Sequence, residues 1–241
     1  MMNAATIAVP TMSPLMTRLA KLATLEQVEV ASLRAAERDQ RRYAPRRELM
    51  AEGDPIRERA ALLSGWACRQ RDLPDGRRQI LNFLVPGDLI GMDTHRNPLA
   101  ATTVLAITEV VTCALPPAGA PGGGLAEAYA VSTALEQHYL LAHITRLGRL
   151  SAYERLADWF LETQDRLDLA GLATGDRFPL PLTQEMLADA LGLTSVHINR
   201  TLQAMRRDGV LIARSGVISL PDRDRLKDLV DYRPARISSE G

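Results

Sequence analysis

The stretch from Leu182 to Arg207 leaves the chain the fewest choices. Thr183 stands where a side-chain oxygen caps a helix whose inward residues are Met186, Leu187, Ala188 and Leu191. Gly192 then supplies the backbone freedom for a sharp turn, and Leu193 is placed to plug the space between this helix and the next. Thr194 or Ser195 caps the second helix, whose buried face is Ile198, Leu202 and Met205. Small, turn-compatible and apolar residues thus occupy the positions that a helix-turn-helix requires. The second helix leaves Ser195, Val196, His197, Asn199, Arg200 and Gln203 facing outward. The alternative is a plain helical hairpin with a solvated outer face.

Charge decides what that outer face can meet. The 241 residues carry 29 cationic and 29 anionic side chains, so the molecule as a whole is not basic. Between Thr194 and Leu220, however, Arg200, Arg206, Arg207 and Arg214 stand against the single anion Asp208. Such a local excess suits phosphate contact, which points to double-stranded DNA as the partner of this end of the chain. Arginine can make a bidentate contact to guanine O6 and N7, while Asn199 and Gln203 can bond to bases or phosphates. Beyond Asp208-Gly209, the runs Val210–Arg214 and Val217–Leu220 flank Ser215-Gly216 and predict a two-stranded wing with Arg214 beside the groove. A last helix is expected from about Asp222 to Leu229.

The rest of the chain reads as a second, β-rich unit joined by helices. Leu15, Leu19, Leu22, Leu25, Val28, Val30 and Leu33 predict one or two short amphipathic helices between Pro14 and Glu37, broken near Ala23-Thr24. From Arg41 to about Leu115, short Val-, Ile-, Leu- and Thr-rich runs are punctuated by Gly-Asp, Pro-Asp-Gly and Pro-Gly-Asp. The clearest hairpin rises through Leu62 to Cys68, turns at Leu73–Gly76 and returns through Gln79 to Val85. After the Pro/Gly-rich stretch Pro116–Gly124, a long helix is expected from Leu125 to about Leu150. One apolar stripe on it is Ala128, Val131, Leu135 and Ala142, and another is Tyr129, Leu140, Ile144 and Leu147. Two stripes ask for two partners, the β-rich unit and the same helix of a second copy, unless the helix is fully buried in a monomer. Ser151 to Glu154 has capping-box spacing and restarts a helix through Leu169, with Leu156, Trp159, Phe160 and Leu167 on its core face.

Together the carriers Leu63-Ser64-Gly65-Trp66, Asp75 to Ile80, Pro86 to Gly91, Tyr153 to Ala157 and the helix-turn-helix resemble the Crp/Fnr superfamily of bacterial transcription regulators over nearly the whole chain. The resemblance implies an α+β architecture: a cyclic-nucleotide-binding-like β-roll, a long dimerisation helix and a C-terminal winged helix-turn-helix. The expected division is a flexible tail 1–13, a sensor domain 14–121, the dimerisation helix 122–150, the DNA-binding domain 151–232 and a tail 233–241. It also implies a homodimer on a palindromic operator, with RNA polymerase as a further partner if the protein activates. An effector pocket would fall over Gly87, Asp88, Leu89, Gly91, Arg96, Thr102 and Thr103. Nucleotide-binding members carry an Arg-Ser or Arg-Thr pair that neutralises the cyclic phosphate, and here Pro98 to Thr103 has alanines in that place, with Arg96 the neighbouring cation. Cyclic AMP is therefore not an expected cofactor, and no other effector is identified. Arg200 matches the family's guanine-reading arginine, but Val196 replaces a cytosine-reading glutamate and can touch only a thymine methyl.

The remaining signals are weaker. Cys68 and Cys113 are the only cysteines, too few for a disulfide framework or an all-cysteine cluster; they are candidates for a redox switch, or else small core hydrophobes. His138 and His143 are poorly spaced for one metal, so no metal site is expected. Asp88 and Asp93 form no recognisable acid–base pair, and no nucleophile has a partner base, so an enzyme is not expected. With no long apolar run and no signal-like start at Met1–Thr11, the expectation is a cytoplasmic protein with no membrane partner. The competing reading is a ligand- or redox-responsive interaction module whose winged helix docks on protein rather than DNA.

Overall fold

The structure, a computed structural model, describes residues 12–93 and 95–235. Most of the two expected tails, and the reading of Met1–Thr11, therefore lie outside the described residues. Helix α1 (Pro14–Leu22) begins at a proline, and Ser13 caps it by accepting from the Met16 N–H. Ser13, placed in the tail by sequence, is thus part of the fold. Helix α2 (Gln27–Ala36) follows after the predicted break.

Eight strands then form two four-stranded sheets. β1 (Gln40–Tyr43), β8 (Val110–Ala114), β3 (Ala60–Ser64) and β6 (Leu89–Ile90) make one, and β2 (Glu48–Met50), β7 (Thr103–Ala106), β4 (Ala67–Asp72) and β5 (Arg78–Leu84) the other. Leu62, Ala67, Leu84, Ile90, Val104, Ala106 and Val110 form the apolar cluster that they share. The predicted turn at Leu73–Gly76 joins β4 to β5, with Gly76 at φ +84°. The ascending strand is not continuous. Gly65 breaks it at φ +83°, where a β-carbon would lie 2.0 Å from the Glu109 carbonyl oxygen. Leu62 to Ser64 therefore belong to one sheet, and Ala67 and Cys68 to the other.

Helix α3 (Gly124–Arg149) packs Leu125, Ala128 and Tyr129 against α1, α2 and the first sheet. Tyr129, assigned by sequence to the second stripe, lies on this buried face and donates its hydroxyl to the Pro116 carbonyl. The large apolar side chains that stay exposed on α3 are Leu140, Leu141 and Ile144, the last two 58% and 66% accessible. Helix α4 (Ala152–Leu169) starts at the predicted capping box of Ser151 and Glu154.

The C-terminal unit comprises β9 (Arg177–Pro179), α5 (Gln184–Leu191), α6 (Ser195–Arg207), β10 (Ile212–Arg214), β11 (Val217–Ser219) and α7 (Arg223–Val230). The wing has three strands, in the order β10-β11-β9, rather than the expected two. β9 is short, ends in proline and exists only through pairing with β11, so no local pattern predicts it. One apolar cluster runs from Trp66, Phe83 and Val85 of the β-rich unit through Trp159 and Phe160 to Ile198 and Met205. Phe83 meets Trp159 edge to face at 5.6 Å, so the two units share a core rather than merely touching.

Candidate nucleic-acid interface

The helix-turn-helix is assembled by local chemistry. Thr183 Oγ1 accepts from the Met186 N–H and Thr194 Oγ1 from the His197 N–H, each at 3.2 Å, satisfying donors that a helix start leaves open. Gly192 adopts φ 62°, ψ 39° at the end of α5, and its N–H reaches the Ala188 carbonyl. Leu187, Ala188, Leu191, Ile198, Leu202 and Met205 are buried, and Met186 is only partly so. A residue not singled out by sequence holds the turn from behind. Arg155 on α4 donates Nη1 to the Leu191 carbonyl at 2.9 Å and Nε to the Leu150 carbonyl at 2.8 Å. It thereby ties the end of α5 to the end of α3, and its presence in the Tyr153–Ala157 motif was the available signal.

Ser195, Val196, His197, Asn199, Arg200 and Gln203 all lie on the exposed side of α6, with Val196 69% accessible. Gln203 Nε2 donates to Asn199 Oδ1 at 2.8 Å, so the Asn199 amide nitrogen and the Gln203 oxygen are the groups this pair turns outward. The Thr201 hydroxyl is spent on the His197 carbonyl. Arg206 and Arg207 at the end of α6, Arg214 on β10 and Arg177 on β9 are also exposed. The wing turns at Ser215 and Gly216, both at positive φ (50° and 74°), a geometry that matches the twist of its strands. Sequence reasoning did not anticipate Arg177, because β9 itself was missed.

The residues expected to form an effector pocket do not converge on an open cavity. Gly87, Asp88, Leu89 and Gly91 are buried, Arg96 is exposed, and Thr102 and Thr103 are half-buried, with Thr103 Oγ1 accepting from the Glu52 N–H. Around Ala100, where the phosphate-holding pair was sought, the chain is zipped to residues 53–56 by the bonds Gly53 N–H to Ala100 O, Ala100 N–H to Asp54 O and Ile56 N–H to Pro98 O. The cavity lined by Arg18, Asp88, Leu89, Ser132, Tyr139 and Arg166 has room of about 10 Å³, roughly one water. That room is far below the volume, on the order of 300 Å³, that a small-molecule site needs.

What fills the space is a buried ion cluster that the sequence did not reveal. Arg166 on α4 donates Nη2 to Asp88 Oδ2 and to the Phe83 carbonyl, each at 2.7 Å, and Nη1 to Asn82 Oδ1 at 3.0 Å. Its guanidinium also lies 4.9 Å from the Tyr139 ring centre. Arg18 on α1 approaches the other oxygen of Asp88 at 2.9 Å, forming an ion pair without a well-directed hydrogen bond. Arg146 on α3 donates to Asp158 at 2.7 Å and to Glu162 at 2.6 Å. Burial opposes ionisation of Asp88, but Arg166 and Arg18 outweigh it and hold the carboxyl below its ordinary range. For Arg166, burial is likewise overcome by Asp88 and Glu162, which keep it charged. The Glu162–Arg166 spacing of one helical turn was the only local hint in the chain.

The cysteines are placed unfavourably for redox chemistry. Both are buried, in different sheets and different apolar clusters, and burial pushes each thiol up to about 11. A reactive thiol needs the opposite shift. Among the described residues no cluster of His, Cys, Asp and Glu could hold a metal ion, and no helix is long and apolar enough to cross a membrane.

Against known proteins, the Crp-like helix-turn-helix domain profile matches residues 154–229 and the cyclic nucleotide-binding domain profile residues 40–119. The nitrogen fixation regulation protein FixK of Bradyrhizobium diazoefficiens is 32% identical over 225 residues, covering 86% of this chain and 89% of that protein. The chain belongs to the Crp/Fnr family of transcription regulators. It is thus a DNA-binding regulator of the Crp/Fnr type and not an enzyme. Among its Crp/Fnr relatives, the transcriptional activator FnrL of Cereibacter sphaeroides is 28% identical over 203 residues, with 79% of this chain and 76% of that one aligned. The solved structure of FixK2 from Bradyrhizobium japonicum superposes with a TM-score of 0.68 at 28% identity, covering 83% of this chain and 98% of that one. The α+β architecture read from the sequence is the architecture of this Crp/Fnr chain.

Proposed function

We propose that this regulator acts as a homodimer on a palindromic operator, inserting α6 of each copy into successive major grooves, without cyclic AMP. The observation that carries the dimer is the exposed apolar strip Leu140, Leu141 and Ile144 on α3, uncovered among the described residues and continuous with the helix that the β-rich unit already covers on its other side. A second copy related by twofold symmetry covers such a strip with its own. Independence from cyclic AMP rests on the alanines around Ala100 and on the ion cluster that occupies the pocket region. In this reading Thr183, Thr194 and Ser195 hold or approach the backbone, Arg214 and Arg177 meet phosphates beside the groove, and Val196, His197, Asn199, Arg200 and Gln203 face base edges. If the protein activates, RNA polymerase is the further partner.

Equilibrium binding to duplex DNA across a salt series tests the DNA reading against docking on protein, because counterion release makes DNA affinity fall steeply with salt. Arg200→Ala is expected to lose about 1–3 kcal/mol at one base pair and to relax specificity there. An unaltered sequence preference after that substitution removes Arg200 from the proposed role. Calorimetry with cyclic AMP is expected to give no heat, and micromolar binding would overturn the independence.

A further inference from the structure

The family profiles begin at residue 40 and leave α1 unaccounted for, yet α1 makes contacts with both halves of the molecule. Leu15, Met16 and Leu19 are sunk in the apolar cluster shared with α3 and the first sheet. Arg18, 2% exposed, crosses to Asp88, whose other oxygen is bonded to Arg166 of α4. Lys21 Nζ donates to the Asp168 carbonyl at the end of α4, at 2.6 Å. A β-carbon at Gly171, just beyond α4, would sit 3.2 Å from Thr17, so the two segments are in close contact. Gly87 explains how Arg18 gets in: a β-carbon there would press on Arg18 at 3.2 Å and on the Pro14 carbonyl at 3.1 Å.

We propose that α1 is a strap that positions the DNA-reading half, with Arg18 as a positioning residue acting on α4 through Asp88 and Arg166. The inference rests on the dimeric DNA-binding reading above. Helix α4 is the beam on which α6 rests, since Leu156 and Phe160 share the cluster of Ile198, Leu202 and Met205. Its start is held by Arg155, bonded to the Leu150 and Leu191 carbonyls. Its far end is held by the α1 contacts together with the Arg166 bonds to Asn82 and the Phe83 carbonyl of β5. A rigid helix fixed at both ends has one axis, whereas a helix released at one end pivots about the other. The Phe83–Trp159 contact near the middle of α4 and the Arg78–Asp189 pair between β5 and α5 keep the units together, and the α1 ties fix the angle of α4 about them. The three cations Arg18, Arg146 and Arg166 balance the three anions Asp88, Asp158 and Glu162, so removing Arg18 also leaves the cluster one positive charge short. Two half-sites can be read together only at the spacing that the two α6 helices present. The strap therefore governs spacing selectivity.

The test compares wild type, Arg18→Met and Arg18→Lys on duplexes selected from random DNA, their versions with the spacer lengthened by one and two base pairs, and a single half-site. Dimerisation and melting temperature are measured alongside. In Arg18→Met the preference for the selected spacing is expected to fall about tenfold, while half-site affinity stays within about twofold; Arg18→Lys recovers most of the preference. A general loss of stability lowers affinity for every duplex by one factor and leaves the ratio alone, so an unchanged ratio overturns the strap. If Arg18→Met does not fold, Lys21→Met serves, because that side chain is exposed; a two- to threefold loss of spacing preference is expected, and none overturns the proposal. Wild-type protein that retains no duplex defeats the dimeric DNA reading and the strap with it. Wild-type binding with an unchanged ratio in the variants defeats the strap alone.

Discussion

Arg146→Met removes the charge that joins the long helix to the beam beneath the recognition helix. The Arg146 side chain is 2% exposed and makes two charge-assisted bonds, to Asp158 and Glu162. Methionine fills similar volume and leaves both carboxylates buried without that partner. Removing one member of a buried ion pair costs about 3–5 kcal/mol, and two charge-assisted hydrogen bonds at about 1.5–3 kcal/mol each reach the same range. For a chain of this size each kcal/mol shifts the melting temperature by about 2–4 °C, so a fall of roughly 6–20 °C is expected at pH 7. Acidity gives a second handle. Asp158 already lies above its ordinary carboxyl range, because burial outweighs the attraction of Arg146, and loss of Arg146 raises it further. A carboxyl whose folded value exceeds its unfolded value binds more protons in the fold, so it gains stability as pH falls. His143, no longer repelled by Arg146, moves the same way. The deficit of the variant against wild type is therefore expected to shrink from pH 7 to pH 5. Thermal unfolding followed by circular dichroism at pH 7, 6 and 5 measures it. A deficit below about 1 kcal/mol, or one that widens on acidification, refutes the assignment of the cluster as a buried ionic joint.

Other consequences are simpler to read. Burial, with help from Arg146, lowers His143 from 6.5 to about 4, so its neutral form stabilises the fold above 6.5 and that contribution is lost as pH falls through 4; His143→Leu is expected to flatten the wild-type decline across this window in a pH series of melts. Gly65→Ala places a β-carbon on the Glu109 carbonyl in a left-handed backbone and is expected to cost at least about 2 kcal/mol in urea unfolding, a neutral result contradicting the strand break. With both thiols pushed up to about 11, native protein at pH 7.5 is expected to resist a thiol-labelling reagent and to yield two reactive cysteines only once unfolded; rapid native labelling would restore the redox reading.

The helix-turn-helix was legible because its determinants are local: Thr183, Gly192 and Thr194 act within a few residues of themselves, and the structure finds each in its expected backbone role. The long helix and the capping box at Ser151 were legible for the same reason. What escaped depends on partners far along the chain. The break at Gly65 is enforced by Glu109, and β9 exists only against β11. Only the apolar residues of α1, α3 and α4 were placed inward from the sequence, so Arg18, Arg146, Glu162 and Arg166 were not singled out. No sequence period distinguishes an arginine in water from one whose counter-charges arrive from another element. Asp88, expected in a ligand pocket, is the residue on which Arg18 and Arg166 meet.

Selection of bound duplexes from random DNA tests the central claim most directly. The account predicts an inverted repeat with half-site centres about 10 bp apart and a guanine in each half that is lost as a preference in Arg200→Ala. Recovery of no enriched sequence at low salt, or of a single unrepeated site, contradicts it.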